Sequence, residues 1–293
     1  MQTRNLTITL LLLIVLAACG QTEAAPTAVP PTEAPSLPQT YTAQVSNYNL
    51  GDATLLQEQF PEDNRFRHMP VRLEGVIAAP ETDEARPVVL ILHGSHDACD
   101  EDVWPCPEDV EQKNYEGFTY LVKALAEAGY VALSINVNAE HTFAYGETPP
   151  PIRTMQLIDL HLAELAAANA GESDKFGLDL NGRADLSRMV WMGHSRGADL
   201  VNWIIRDQKL DQTASPAGYG PVQGQLFLAP ALSLLGTLPT VDLPTALILP
   251  SCDADIRDLG GQGFYESARF DAERANPLTS VYLEHGNHNN FNT

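Results

Sequence analysis

Short apolar runs alternate with longer amphipathic stretches through residues 71–286. "PVVLILHG" (Pro87 to Gly94) and "YVALSIN" (Tyr130 to Asn136) are continuous apolar runs, as strands covered on both faces should be. "SRMVWMG" (Ser187 to Gly193), "GQLFLAPA" (Gly224 to Ala231), "PTALILP" (Pro244 to Pro250) and "LTSVYLEHG" (Leu278 to Gly286) read as further strands. "VRLEGVIAAP" (Val71 to Pro80) alternates like an edge or antiparallel strand. Helical spacing lies between these runs. Glu116 to Gly129 repeats Phe118, Leu121, Val122 and Leu125 at i, i+3, i+4 and i+7. Pro151 to Asn169 lines up Met155, Ile158, Leu162 and Leu165, and Ala198 to Gln208 lines up Leu200, Val201, Ile204 and Ile205. Gln262 to Phe270 also reads as helix, whereas Asp100 to Glu111 and Ala139 to Pro151 read as long loops. Strands alternating with helices predict an α/β fold: a mainly parallel central sheet with helices on both faces.

The N-terminus departs from this pattern. Arg4 precedes an apolar run, Leu6 to Leu16, that is too short to span a bilayer comfortably. It ends in Leu16-Ala17-Ala18-Cys19, which resembles the lipobox of bacterial lipoproteins. Residues 1–18 therefore read as a lipoprotein signal peptide, with Cys19 as the lipidated residue. Gln21 to Pro38 carries five prolines and almost no large apolar residue, so 19–40 reads as an extended tether. At about 3.1 Å per residue it would hold the following domain, 41–293, roughly 50 Å from a membrane. The expected location is extracytoplasmic, anchored to a bacterial membrane through the lipid at Cys19.

Composition narrows the partners. The formal net charge is −21, and loss of the signal removes one basic residue and no acid. That disfavours nucleic acid and a bare anionic membrane surface as partners. Of four cysteines, Cys99 and Cys106 flank the loop "CDEDVWPC", and an oxidising compartment favours a local disulfide between them. Cys252 follows an apolar strand and reads as a small buried hydrophobe. The acidic loop around Asp100 to Glu111 fits no known calcium-loop spacing and reads as solvated, with Trp104 either over a pocket mouth or packed on the disulfide. No metal site is expected.

The candidate chemistry centres on Gly193-His194-Ser195-Arg196-Gly197, which follows a predicted strand and opens a predicted helix. A serine in such a turn is held in a strained conformation, and side chains at the two glycine positions would collide with neighbouring elements. Serine is a weak nucleophile and needs a base, which should follow an acid in chain order. Asp253 stands just past one strand and His288 just past the last. Asp255 and Asp258 compete with Asp253, which is nearest the strand end. His285 competes with His288, but a histidine in a loop after Gly286 is freer to reach the serine. The expected oxyanion donors are the backbone N–H groups of Arg196 and Ser95, with His93 as a structural pin of the Ser95 loop.

The motifs "LILHGS", "GHSRGADL", "PSCDADI" and "GNHNNF", in this order, resemble the α/β-hydrolase superfamily. The "GHSRG" elbow is similar to the branch containing chlorophyllases, platelet-activating-factor acetylhydrolases and dienelactone-hydrolase-like enzymes, which borders the bacterial cutinases. The "WPC" loop, the acid loop and the "NHNNFNT" ending resemble a group of secreted bacterial hydrolases. The resemblance spans Val71 to Thr293. It implies the α/β-hydrolase fold and a serine hydrolase acting on small or polymeric carboxylic esters, with no metal or organic cofactor. The alternative is a binding lipoprotein that keeps the fold without turnover. A peptidase would carry a further gating domain. Such enzymes usually place another helix after the catalytic histidine, whereas this chain ends five residues later, which predicts a shortened C-terminus and exposed apolar surface on one sheet face.

Overall fold

The structure, a computed structural model, describes residues 40–99, 104–105, 107–142, 150–231 and 239–293. The signal peptide, Cys19 and the tether lie outside the described residues, as does Cys106, so the expected Cys99–Cys106 bridge stands as a proposal.

Eight strands form one sheet: β1 (Ala43–Leu56), β2 (His68–Pro80), β3 (Arg86–Leu92), β4 (Val131–Ile135), β5 (Ala184–His194), β6 (Val222–Leu228), β7 (Thr245–Pro250) and β8 (Leu278–Leu283). Their spatial order is β1-β2-β4-β3-β5-β6-β7-β8. β2 pairs antiparallel with both β1 and β4, and every later joint is parallel. The helices are α1 (Thr119–Glu127), which a 3-10 turn at Asn114–Phe118 precedes, α2 (Asn138–Thr142), α3 (Pro150–Asn169), α4 (Arg196–Asp207) and α5 (Gln262–Glu266). A second 3-10 turn spans His288–Phe291. This is the α/β-hydrolase fold.

The period-two side-chain alternation of the strands separates two cores. On one face Val88, Leu90, Leu92 and Trp191 pack against α3 and α4, whose predicted inward residues Ile158, Leu162, Leu165, Leu200, Val201, Ile204 and Ile205 are all buried. Each of these side chains contributes about 1.5–3 kcal/mol relative to exposure. On the other face Val89, Ile91 and Met192 pack against Phe118, Val122 and Ala126 of the α1 segment. Beyond α1 this second face is thinly covered. Val190, Leu226 and Ile248 are only partly buried, and Val281 and Leu283 are exposed.

Chain order reverses at β3. The chain passes from β3 to β4 on one side and then crosses over β3 to β5 on the other, so the connections diverge there. A crevice at the carboxyl ends of β3 and β5 follows from that topology, and the residues found there are Gly94 and Ser195.

Candidate active site

Ser195 joins β5 to α4 with φ 52° and ψ −121°, a conformation L residues rarely adopt. Its main chain is held at both polar groups. The N–H donates to Leu228 O (2.9 Å), and the carbonyl accepts from Ala198 N (3.1 Å) and Ala231 N (3.2 Å). The flanking glycines are steric requirements. A Cβ on Gly193 would stand 2.4 Å from Ala198 N, and one on Gly197 would stand 2.5 Å from Leu92 O. A Cβ on Gly94 would meet Ser195 Cβ at 2.8 Å. The loop after β3, which carries the exposed Ser95, therefore abuts Ser195. Arg196 is the first residue of α4, where main-chain N–H groups point out of the helix end and favour negative charge.

Asp253 and His288 meet at the carboxyl end of the sheet. β7 ends at Pro250, and the turn after it aims Asp253 inward. Asp253 Oδ1 accepts from Asp255 N (3.0 Å) and Ile256 N (2.7 Å), which fixes the carboxylate. Its Oδ2 lies 2.9 Å from His288 Nδ1, with both side chains almost fully buried. A carboxylate only accepts, so Nδ1 carries the proton and Nε2 of the neutral ring is left with its lone pair. Asp255 stands at the other ring nitrogen, with Oδ2 3.8 Å from His288 Nε2, and is largely exposed. Asp258 accepts from Gly260 N in an exposed turn.

The His288 segment is locked at several points. Asn287 accepts from Asn289 N and its own N–H donates to Asn290 Oδ1 (2.7 Å), capping the 3-10 turn. Tyr120 Oη donates to Phe291 O (3.0 Å), and Thr293 N donates to Gly117 O (3.2 Å). His285 lies outside the cluster. Its side chain is 87% exposed, and its N–H donates to Ser251 Oγ (2.8 Å).

Five histidine rings form a chain from His288 inward: His288 to His194 (4.9 Å between centroids), His194 to His96 (5.7 Å), His96 to His93 (6.5 Å) and His93 to His141 (5.6 Å). His93 ties two loops, with Nδ1 2.8 Å from Gly94 O and Nε2 accepting from Val137 N (3.0 Å). His141 Nε2 lies 3.3 Å from His93 O. Burial pushes His93 and His194 down to about 3 and His141 well below its ordinary value, so these rings are neutral struts. Behind them Glu140 of α2 is fully buried against Arg153 of α3, with Oε2 to Nε at 2.8 Å. Burial raises the Glu140 carboxyl to about 7 despite the guanidinium.

Trp104 is tied to the β1–β2 hairpin, where Nε1 donates to Pro70 O (2.9 Å); Cys106, the other half of the expected disulfide, lies outside the described residues. Two expectations from the sequence need correction. Cys252 is exposed, because the apolar run stops at Pro250 and the turn points the thiol outward. The acidic loop is not wholly solvated. Glu111 is buried, paired with Arg72, and accepts from Asn136 Nδ2 (2.9 Å) and Asn138 Nδ2 (3.0 Å). Sequence reasoning missed the Glu140–Arg153 pair and the role of His141; Glu140 and His141 sit in a stretch read as loop. Among the described residues no group of three or more His, Cys, Asp or Glu side chains is arranged to hold a metal ion, and no helix is long and apolar enough to cross a membrane.

No protein-family model and no curated protein matches the chain. Among solved structures it is similar to a protein assigned as a dienelactone hydrolase from Klebsiella pneumoniae subsp. pneumoniae, at 12% identity over 84% of this chain and 87% of that one, with a TM-score of 0.49. At that level the likeness says nothing about activity.

Proposed function

We propose that this chain is a serine hydrolase that cleaves carboxylic esters. The observation that carries the reading is the 2.9 Å contact between His288 Nδ1 and Asp253 Oδ2, on a ring packed against the residue that precedes Ser195. In this reading Ser195 Oγ attacks the ester carbonyl and His288 Nε2 takes its proton. The oxyanion is held by the backbone N–H groups of Arg196 and Ser95. His288 then protonates the leaving alcohol, and water, activated by the same ring, clears the acyl-enzyme. Asp253 holds the tautomer and stabilises the imidazolium. The preference for an ester over an amide rests on the resemblance carried by "GHSRG". Cys19 is proposed as the lipid anchor that holds the enzyme outside the cytoplasm, and Cys99–Cys106 as a disulfide.

The test is turnover of a chain-length series of p-nitrophenyl esters. Ser195→Ala should lower kcat by about a millionfold and Asp253→Asn by about 10⁴-fold, each with the fold retained by circular dichroism. A folded wild-type protein inert toward the whole series would overturn the reading and favour a non-catalytic binding lipoprotein. The chain-length optimum separates small-ester from polyester specificity.

A further inference from the structure

His194, the residue before Ser195, is the last residue of β5 and is fully buried. Its ring is packed on Phe118 (5.9 Å), Phe291 (6.1 Å), His96 (5.7 Å, nearly parallel) and His288 (4.9 Å). Its Nε2 lies 3.0 Å from the main-chain oxygen of His288, across 94 residues of chain. A carbonyl only accepts, so Nε2 carries the hydrogen and Nδ1 is a bare lone pair. Nδ1 has no hydrogen-bond partner among the described residues and faces Gly94, where an added Cβ would stand 3.0 Å from it.

We propose that His194 is a positioning residue. Its Nε2–H···O bond to His288 sets the register between the nucleophile position at Ser195 and the base at His288. The proposal rests on the ester-hydrolase reading for its kinetic consequence. Asp253 orients the His288 ring about its side-chain bonds but leaves the main chain of that loop unspecified relative to β5. The His194 bond supplies that second coordinate. It runs from the residue adjacent to Ser195 to the residue that bears the base, so an error in loop placement is not multiplied along intervening chain. A neutral donor suits the place. A second positive ring 4.9 Å from His288 would oppose the imidazolium that forms during turnover, and burial keeps His194 neutral.

The experiment compares His194→Leu, His194→Asn and His194→Gln in the full-length protein, with p-nitrophenyl butyrate as probe. Gln places an amide N–H at nearly the reach of Nε2, Asn falls one carbon short, and Leu has no donor. Leu and Asn should lose about 100-fold in kcat with KM unchanged, the scale of a 1 Å misplacement, while Gln recovers most of that loss. Independently of turnover, the far-downfield proton signal of His288 Nδ1–H, assigned with ¹⁵N-labelled histidine, should weaken or shift in Leu and Asn and persist in Gln. Should Leu fail to fold, the Asn–Gln pair decides. Equal kcat in Asn and Gln, or a downfield signal unchanged in the folded Leu or Asn variant, overturns the proposal. A wild-type protein without ester turnover overturns the hydrolase reading instead, and the proton signal still decides the His194 contact.

Discussion

At the scale of single residues the site is built from close approach, and the glycines show it best. Gly197 faces the main chain of the neighbouring strand, where a Cβ would lie 2.5 Å from Leu92 O and 2.7 Å from His93 O. Neither atom can swing aside without moving β3, and β3 leads straight into Gly94 against Ser195. Gly197→Ala should therefore destabilise the fold by about 1–3 kcal/mol and depress turnover together. Gly224→Ala, whose nearest neighbour would stand at an ordinary 3.4 Å, should change neither by much. Urea denaturation and kcat on the two variants check this, and equal behaviour would refute the steric account. The strand-end placement of Ser195, Asp253 and His288 was legible in the sequence because each sits at a fixed place relative to the end of an apolar run. That local rule does not extend to burial. Cys252 follows the same kind of run, yet its thiol faces solvent because the turn geometry, not the neighbouring hydrophobicity, decides its direction. His194 was equally silent, since its partner lies 94 residues away.

At the scale of elements, β3, β4, β5 and β7 and the helices α3 and α4 were readable because their apolar periodicity matches what they bury. β1 was not. Of its fourteen residues only Tyr48 and Leu55 are buried, so its alternation is too faint to read as a strand. α2 was missed for a different reason. It has five residues, and Asn138, Glu140 and His141 are buried polar groups, so no apolar stripe marks it. The buried Glu140–Arg153 pair ties α2 to α3. Removing one partner leaves the other desolvated, so Arg153→Ala should cost about 3–5 kcal/mol. The cost should be larger at pH 8 than at pH 6, because at lower pH the orphaned carboxyl escapes by taking up a proton. The double replacement Glu140→Leu with Arg153→Met should cost less than Arg153→Ala alone. Denaturant titrations at both pH values measure all three, and a double variant worse than the single would show that the pair stabilises beyond mutual charge compensation.

At the scale of the whole molecule the buried histidines make folding a pH-dependent equilibrium. Burial pushes His93, His161 and His194 from 6.5 down to about 3, so each is neutral in the folded state through the acidic range. The unfolded chain takes up protons near 6.5 while the folded chain does not. The stability these groups permit is thus fully present above pH 6.5 and is lost as pH falls from there toward 3. Well inside that window each histidine contributes a slope of about 1.4 kcal/mol per pH unit. Glu140 opposes them. Its folded value, raised to about 7, makes the folded state the better proton acceptor between 4.5 and 7. The lowered histidines, His96 and His141 among them, outnumber the raised carboxyls Glu74, Glu140 and Asp159, so the folded state is on balance the poorer proton acceptor and stability falls as pH drops below 6.5. Urea midpoints should accordingly be level above pH 7 and fall steadily below pH 6. His161 permits a clean test because it is buried beside Tyr48, with Tyr48 Oη 3.0 Å from Nδ1, on a different face from the His194 chain. His161→Gln cannot titrate, so the slope of unfolding free energy against pH should drop by about one proton's worth in that variant. An unchanged slope would mean that His161 does not carry its share of the acid sensitivity, and a wild-type midpoint constant from pH 7 to 4 would remove the buried histidines as its cause.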